Sequence, residues 1–384
     1  MIVQYSCNTG FGGEGTEKPL GIYIHVPFCD GKCPYCDFYS MRADKGKYDE
    51  YLRALTVRLG AAAQRYRRRV DTLYIGGGTP SLLGGERISE IVRRCRALFG
   101  LDDAEITVEC NPRSSDGGLF ERMAEAGVNR VSLGMQSADA AELAALGRRH
   151  GAEDARRTVE AARAAGITNI SLDLMIGTPG QTEGTLARSA DFCLSLGVPH
   201  ISAYMLKIEE GTAFYRDGTA ALCPDADETA GLYELLCERL EKAGLLRYEI
   251  SNFARPGFES RHNLKYWRCE EYLGIGPAAH SFVGGKRMYY PRSLDGFISG
   301  ENGGEPLFDC EGGDFEEYAM LRLRLREGLD LDEMRRLYPG ASLPEKQLSL
   351  LESGGFVEIK GGRVSLTTKG ALVSNEVIGR LVLD

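Results

Sequence analysis

The chain has 384 residues, with 46 Lys or Arg against 55 Asp or Glu and a net charge of −9, so no broad basic field exists to hold nucleic acid or an anionic membrane surface. The length suits one large catalytic-type domain plus a small one, since single cores stop growing at roughly 250 to 300 residues. Eleven dispersed cysteines, with no charged-then-apolar leader before residue 20, exclude a disulfide framework and read as a reduced, cytoplasmic protein.

Residues 1–19 hold the Gly-rich polar run NTGFGGEGTEKP, expected to be a poorly ordered arm. Beyond it, short β-branched or apolar runs recur at 21–28, 70–78, 105–110, 129–136, 169–177 and 200–206, six strand candidates. Helix-period stretches lie between them: Tyr48–Arg69, Glu86–Phe99, Leu119–Ala126, Ala152–Ala165 and Thr185–Leu196. The stops AEAGV, RAAGI, LSLGV and EKAGL repeat a glycine C-cap. Strand then helix, about six times over, predicts an α/β fold with a parallel sheet, either an open doubly wound sheet or a barrel, with functional residues at the carboxyl ends of the strands. Six units are fewer than a full eightfold barrel. The longest apolar runs, such as Ile170–Ile176, are broken by Asp and fall far short of the ~20 residues of a membrane span. A barrel over 20–245, an extension over 246–310 and a small helix-rich tail over 311–384 are expected. The tail ends in GFVEIKGGRVSLTTKG, two alternating runs across a Gly-Gly turn, which reads as winged-helix-like.

Three cysteines, Cys29, Cys33 and Cys36, follow the first strand in one short loop with Gly31 and Pro34. A zinc knuckle requires a fourth ligand, which His25 or Asp37 could supply. A four-iron cluster held by three thiolates instead leaves one iron with an open coordination position. After the second strand, GGGTP allows backbone approach that no residue with a Cβ permits, although a tight turn would serve equally. Asp173, flanked by Leu172 and Leu174, reads as a buried polar group. Arg148 reads on its own as a helix-end cation complementing the dipole.

Cys-x3-Cys-x2-Cys after an apolar strand, with YIHVPF before it and GGGTP about 40 residues on, resembles the radical S-adenosylmethionine (SAM) family. The resemblance implies a partial (β/α)6 TIM-like barrel and a four-iron, four-sulfur cluster ligated by Cys29, Cys33 and Cys36. It also implies SAM on the open iron, cleaved reductively to methionine and a 5′-deoxyadenosyl radical, with electrons from a reductant such as a flavodoxin or ferredoxin. It places Gly77, Gly78 and Thr79 against the methionine part of SAM, with Tyr23 and Tyr35 flanking it. Glu109, Gln136, Arg148 and Asp173 match polar positions of the same pocket in the oxygen-independent coproporphyrinogen III oxidase family.

A second motif, RHNLKYW, holds His262, Asn263, Tyr266 and the only tryptophan, Trp267. Aromatic side chains beside an imidazole suit a flat apolar ligand with one metal bond, as haem requires, whereas a lone histidine is as readily a satisfied structural residue. His-Asn-x-x-Tyr-Trp resembles the motif of the HemW haem chaperone branch of the oxidase family, and YEISNFARPG and YLGIGPAAHSF extend the match. The resemblance implies haem as cargo, acceptor haemoproteins as partners, and His262 as ligand, with Cys269 and His280 as alternatives. The oxidases carry a further cysteine two places after the triad, where this chain has Phe38. A chaperone is therefore expected, with oxidative decarboxylation to protoporphyrinogen IX as the alternative. The tail is expected to cover the barrel's open side.

Overall fold

Each expected strand forms within two residues of its expected limits, and the six pair in sequence order: β1 (Leu20–Val26), β2 (Val70–Gly77), β3 (Glu105–Cys110), β4 (Arg130–Gln136), β5 (Asn169–Ile176) and β6 (His200–Met205), all parallel. The computed structural model describes residues 18–113 and 118–383; the expected arm lies, up to residue 17, outside the described residues. Between the strands run α1 (Lys45–Tyr66), α2 (Gly85–Phe99), α3 (Leu119–Ala126), α4 (Ala140–Ala145), α5 (Ala152–Ala164) and α6 (Glu183–Ser195). Asp44 caps α1 by accepting from the Lys47 amide at 2.9 Å, and Thr182 caps α6 through the Thr185 amide at 3.2 Å. The repeated stops end at Gly127, Gly166, Gly197 and Gly244, all at positive φ.

The register explains why these strands alternate when parallel strands dry on both faces would read as continuous apolar runs. Ile22 pairs with Leu73, Ile75 with Val108 and Leu172 with Ile201, a fully buried face beneath the helices. On the other face Tyr23 pairs with Tyr74, Tyr74 with Thr107, Glu109 with Ser132 and Asp173 with Ser202. The concave interior thus carries the polar and tyrosine side chains.

After β6 come α7 (Ala213–Arg216), α8 (Ala226–Lys242), β7 (Leu246–Arg247) and β8 (Asn252–Ala254), with β8 antiparallel to β6 and β7 outside it. Then follow α9 (Arg261–Trp267), β9 (Tyr272–Ile275), β10 (His280–Val283), β11 (Lys286–Tyr289), α10 (Leu294–Ser299) and β12 (Leu307–Glu311). β9 joins the other edge parallel to β1, and β10 to β12 continue antiparallel. The twelve strands run in the order 12-11-10-9-1-2-3-4-5-6-8-7, a partial barrel with two unjoined edges.

The tail comprises α11 (Phe315–Leu323), β13 (Leu329–Asp330), α12 (Leu331–Leu337), α13 (Glu345–Ser353), β14 (Val357–Lys360), β15 (Arg363–Leu366), α14 (Thr368–Leu372) and α15 (Ser374–Val382). Its helices pack on a three-stranded antiparallel sheet ordered 13-15-14, the turn between β14 and β15 falling on Gly361 and Gly362. The segment around α11 spans the barrel's open side. Arg287 of β11 bonds Glu317 at 2.5 Å, while the Arg326 amide donates to the Tyr248 carbonyl at 2.9 Å beside β7. No helix among the described residues is long and apolar enough to cross a membrane.

Candidate cofactor and cargo site

The cysteine loop rises from the carboxyl end of β1 and is closed at its base. The Cys29 amide donates to the Met41 carbonyl at 2.9 Å and the Met41 amide to the Pro27 carbonyl at 2.8 Å. His25 adds a further tie through Nε2 to the Tyr39 carbonyl at 2.9 Å, while its Nδ1 faces the Tyr23 hydroxyl at 2.9 Å. With both ring nitrogens engaged, His25 is not a free fourth ligand for zinc. Among the described residues no group of three or more His, Cys, Asp or Glu side chains is drawn together tightly enough for a single metal ion. A cubane, whose thiolates sit on separate irons, asks for a wider spacing. Cys29, Cys33 and Cys36 are all unpaired and partly exposed.

β2 ends against this loop. The Gly78 amide donates to the Val26 carbonyl at 2.8 Å and the Thr79 amide to the Phe28 carbonyl at 2.7 Å. A Cβ on Gly78 would lie 2.5 Å from that Phe28 oxygen, and one on Gly77, at φ 114, would lie 2.7 Å from the His25 ring. The glycine run is therefore required by the packing of β2 on β1, and it leaves the Thr79 hydroxyl 3.5 Å from the Cys29 sulfur. Tyr35 is held by Phe214, ring centroids 6.2 Å apart, and by the Phe214 amide donating to the Pro34 carbonyl at 3.0 Å.

The remaining polar positions converge from β3, β4, β5 and the segment after α4. Glu109 accepts from the Tyr74 hydroxyl at 2.9 Å and the Gly77 amide at 3.0 Å. Burial, reinforced by Asp173, pushes its carboxyl up to about 7 even though the two donors pull it back. Asp173 accepts from Ser132 at 3.1 Å and is pushed up to about 6, again by burial. Gln136 adopts φ 68 at the irregular end of β4, a strained conformation for a non-glycine residue. Arg148 is more than a dipole-complementing cation: its guanidinium is drawn inward, donating to the Gly134 carbonyl at 2.6 Å and reaching the Cys33 sulfur at 3.6 Å. Its buried Nε has no hydrogen-bond partner among the described residues.

The second motif lies at the opposite end of the barrel. α9 closes the amino-terminal ends of the strands, where the Arg261 and His262 amides both donate to Glu105 at 3.1 Å. His262 is 1 % exposed, with Nδ1 on the Thr72 hydroxyl and Nε2 on the Tyr266 hydroxyl, both at 2.8 Å. Burial, then Lys265 and Arg130, lowers it to about 3, so it stays neutral and satisfied. In this placement both ring nitrogens of His262 are engaged within the protein. Trp267 lies under Arg324, 4.8 Å from its ring centre. The Asn263 amide bonds the capping Ser260.

Of that motif only Tyr266 reaches a cavity of about 580 Å³ bounded by β1, the end of the cysteine loop and β9 to β12. Tyr23, His25, Phe38, Tyr39, Tyr266, Tyr272, His280, Tyr289, Tyr290 and Arg292 line it. Sequence reasoning missed most of this wall because its residues are scattered over some 270 positions. The available signal was YLGIGPAAHSF, in which Gly274, Gly276 and Ala278 allow a tight turn. Cys269, the other alternative ligand, is not among the lining residues.

Comparison with known proteins matches the Radical SAM superfamily over residues 23–193 and the HemN C-terminal domain over 314–373. A Mycobacterium tuberculosis (H37Rv) protein named heme chaperone HemW is 40 % identical over 378 residues, covering 95 % of each chain. The chain belongs to the HemW family. An Escherichia coli K12 HemW is also 40 % identical, over 319 residues, covering 80 % of this chain and 83 % of its own. Among solved structures, the E. coli radical SAM enzyme coproporphyrinogen III oxidase (HemN) superposes with TM-score 0.82 at 23 % identity, covering 95 % of this chain and 90 % of its own, a likeness of fold. As a radical SAM protein, this HemW family member is implied to carry a four-iron, four-sulfur cluster and SAM.

Proposed function

We propose that this protein binds haem and passes it to acceptor haemoproteins. The reading includes a barrel that holds a four-iron cluster through Cys29, Cys33 and Cys36, with SAM on the iron those thiolates leave open. The observation that carries it is the aromatic cavity beside the cysteine loop, walled in part by Phe38, which stands where the oxidases place a further cysteine. A volume of about 580 Å³ is in the range of a ligand pocket. The names of the HemW relatives support the same cargo.

The donor set fits the cluster. Three free thiols share one pinned loop, with the Thr79 hydroxyl beside the Cys29 sulfur and the Arg148 cation beside the Cys33 sulfur. When bound, the cluster and SAM supply one-electron chemistry, fed by a donor such as a flavodoxin or ferredoxin. The chain's own part is positioning. The glycine run keeps β2 close beneath the loop, and Tyr35 and Gln136 shape its flanks. Glu109 and Asp173, with raised carboxyls, offer acceptors to an ammonium group or diol without a fixed full charge, and Arg148 offers a donor to a carboxylate.

The test is the electronic spectrum of anaerobically reconstituted protein before and after haem addition, followed by transfer to an apo-haemoprotein. The expected result is a brown protein with about four irons per chain that gains a Soret band and loses it to the acceptor. SAM-dependent carbon dioxide release from coproporphyrinogen III, without haem uptake, would overturn the reading in favour of an oxidase.

A further inference from the structure

We infer that the haem iron is ligated by His280, with His262 serving as a structural element of the barrel floor; this rests on the haem-binding reading above. The chain has five histidines, and iron requires one with an unprotonated, accessible ring nitrogen. His25, His200 and His262 each have both nitrogens occupied: His25 by Tyr23 and Tyr39, His200 by Ser171 and Tyr248, His262 by Thr72 and Tyr266. His150 is buried and bonded to the Met135 carbonyl at 2.8 Å. His280 alone is exposed, and its ring nitrogens have no hydrogen-bond partner among the described residues. It lines the aromatic cavity.

The surrounding backbone is built to hold it there. His280 begins β10, and Tyr289 lies opposite it in the ladder, the two rings stacked at 5.7 Å and 25°, which fixes the imidazole plane. The turn before it is tight. A Cβ on Gly274 would fall on the His280 carbonyl oxygen, one on Gly276 would lie 2.5 Å from the His25 carbonyl oxygen, and Ala278 sits at φ 68. A non-glycine residue kept in that region beside a cavity marks a position the surrounding fold over-determines. Tyr272 and Tyr290 supply apolar faces and Phe38, 67 % exposed, a wall open to solvent. On the rim Arg292, 61 % exposed and only 3.4 Å from Asp37, offers a cation to a propionate, and Asp309 on the same rim keeps the mouth from being purely cationic. The inferred geometry is an imidazole on one face of a porphyrin whose edge lies against tyrosines and whose carboxylates point to water.

Haem titration of the reconstituted protein tests this with His280→Ala, His280→Gly and His262→Ala beside wild type. His280→Ala is expected to weaken haem at least tenfold and to shift the Soret band, and added imidazole is expected to restore the wild-type band in His280→Gly. His262→Ala is expected to keep the wild-type spectrum per folded chain while melting at lower temperature. A wild-type spectrum and affinity in His280→Ala, or loss of the band in a folded His262→Ala, would overturn the assignment while leaving haem binding intact. Absence of haem uptake by wild type would instead remove the reading on which it rests.

Discussion

Glu109 shows how a single residue ties the pocket's chemistry to its stability. Its carboxyl is shut between the Tyr74 hydroxyl and the Gly77 amide, yet burial outweighs both donors and lifts it from 4.5 to about 7. A carboxyl raised in the folded state binds its proton more tightly there than in the unfolded chain. Stability from this group is therefore fullest below the unfolded value and declines as pH rises through about 7. Glu109→Gln removes the titration and keeps the shape. In thermal melts of protein without cofactors, the variant should gain on wild type between pH 5 and pH 8, by on the order of 2 kcal/mol. Because any lost hydrogen bond is independent of pH, the difference between the two pH values is the measure. A constant offset would mean that Glu109 is already ionised at pH 5. Arg148 makes the complementary point. Its inward turn toward Cys33 depends on where the segment after α4 lands, so a motif read along the chain could only see a cation after a helix.

At the scale of elements, α9 acts as a plug for the barrel floor. Lys265 is 4 % exposed and its ammonium meets Asp71 at 2.9 Å, Glu270 at 3.3 Å and the Pro19 carbonyl at 3.0 Å. Removing one partner of such a set leaves the others without compensation. Lys265→Ala should lower stability by about 3 kcal/mol, read as a lower urea midpoint, with Lys265→Arg recovering part of it. An unchanged midpoint would show that α9 does not secure the floor. What was legible from the chain follows the same division. The six parallel strands were readable because each alternates an apolar face under helices with a polar inner face, as at Ile22-Tyr23-Ile24 and Leu172-Asp173-Leu174. The β14–β15 hairpin was readable from its two alternating runs and glycine turn. β7 to β12 were not, since they are two to five residues long and owe their conformation to the edges they join. The surroundings of His262 were illegible for a related reason. Composition around His262 marks an aromatic site, but only the register of α9 against β2 and β3 shows both of its ring nitrogens already in use.

At the scale of the whole molecule, the open sheet has two free edges, and the tail packs against both. Arg287 is the principal link on the cavity side. It bonds Glu317 at 2.5 Å and the Tyr272 hydroxyl at 3.3 Å, lies 4.8 Å from the Phe282 ring centre, and is 23 % exposed against 19 % for Glu317. An ion pair this shielded resists screening by salt better than a surface pair. On the far side the links are several: the backbone contacts from Arg326 to Tyr248 and the Glu249–Leu325 bridge, the Arg326–Glu241 pair at 2.7 Å and the Arg247 guanidinium on the Leu366 carbonyl at 3.4 Å, none of which involves Arg287. Arg287→Ala should therefore release one edge only. Amide exchange is expected to rise at least several-fold in β10 to β12 and around residue 313, where the Gly313 amide is held by Glu317, while β1 to β6 keep their protection. Since β10 and β11 carry His280 and Tyr289, the same variant should loosen the cavity wall and speed cargo release without disturbing the cysteine loop, which is anchored to β1 and β2. Uniform exchange across the whole sheet would contradict this division, because it would make the tail a clamp on the entire barrel.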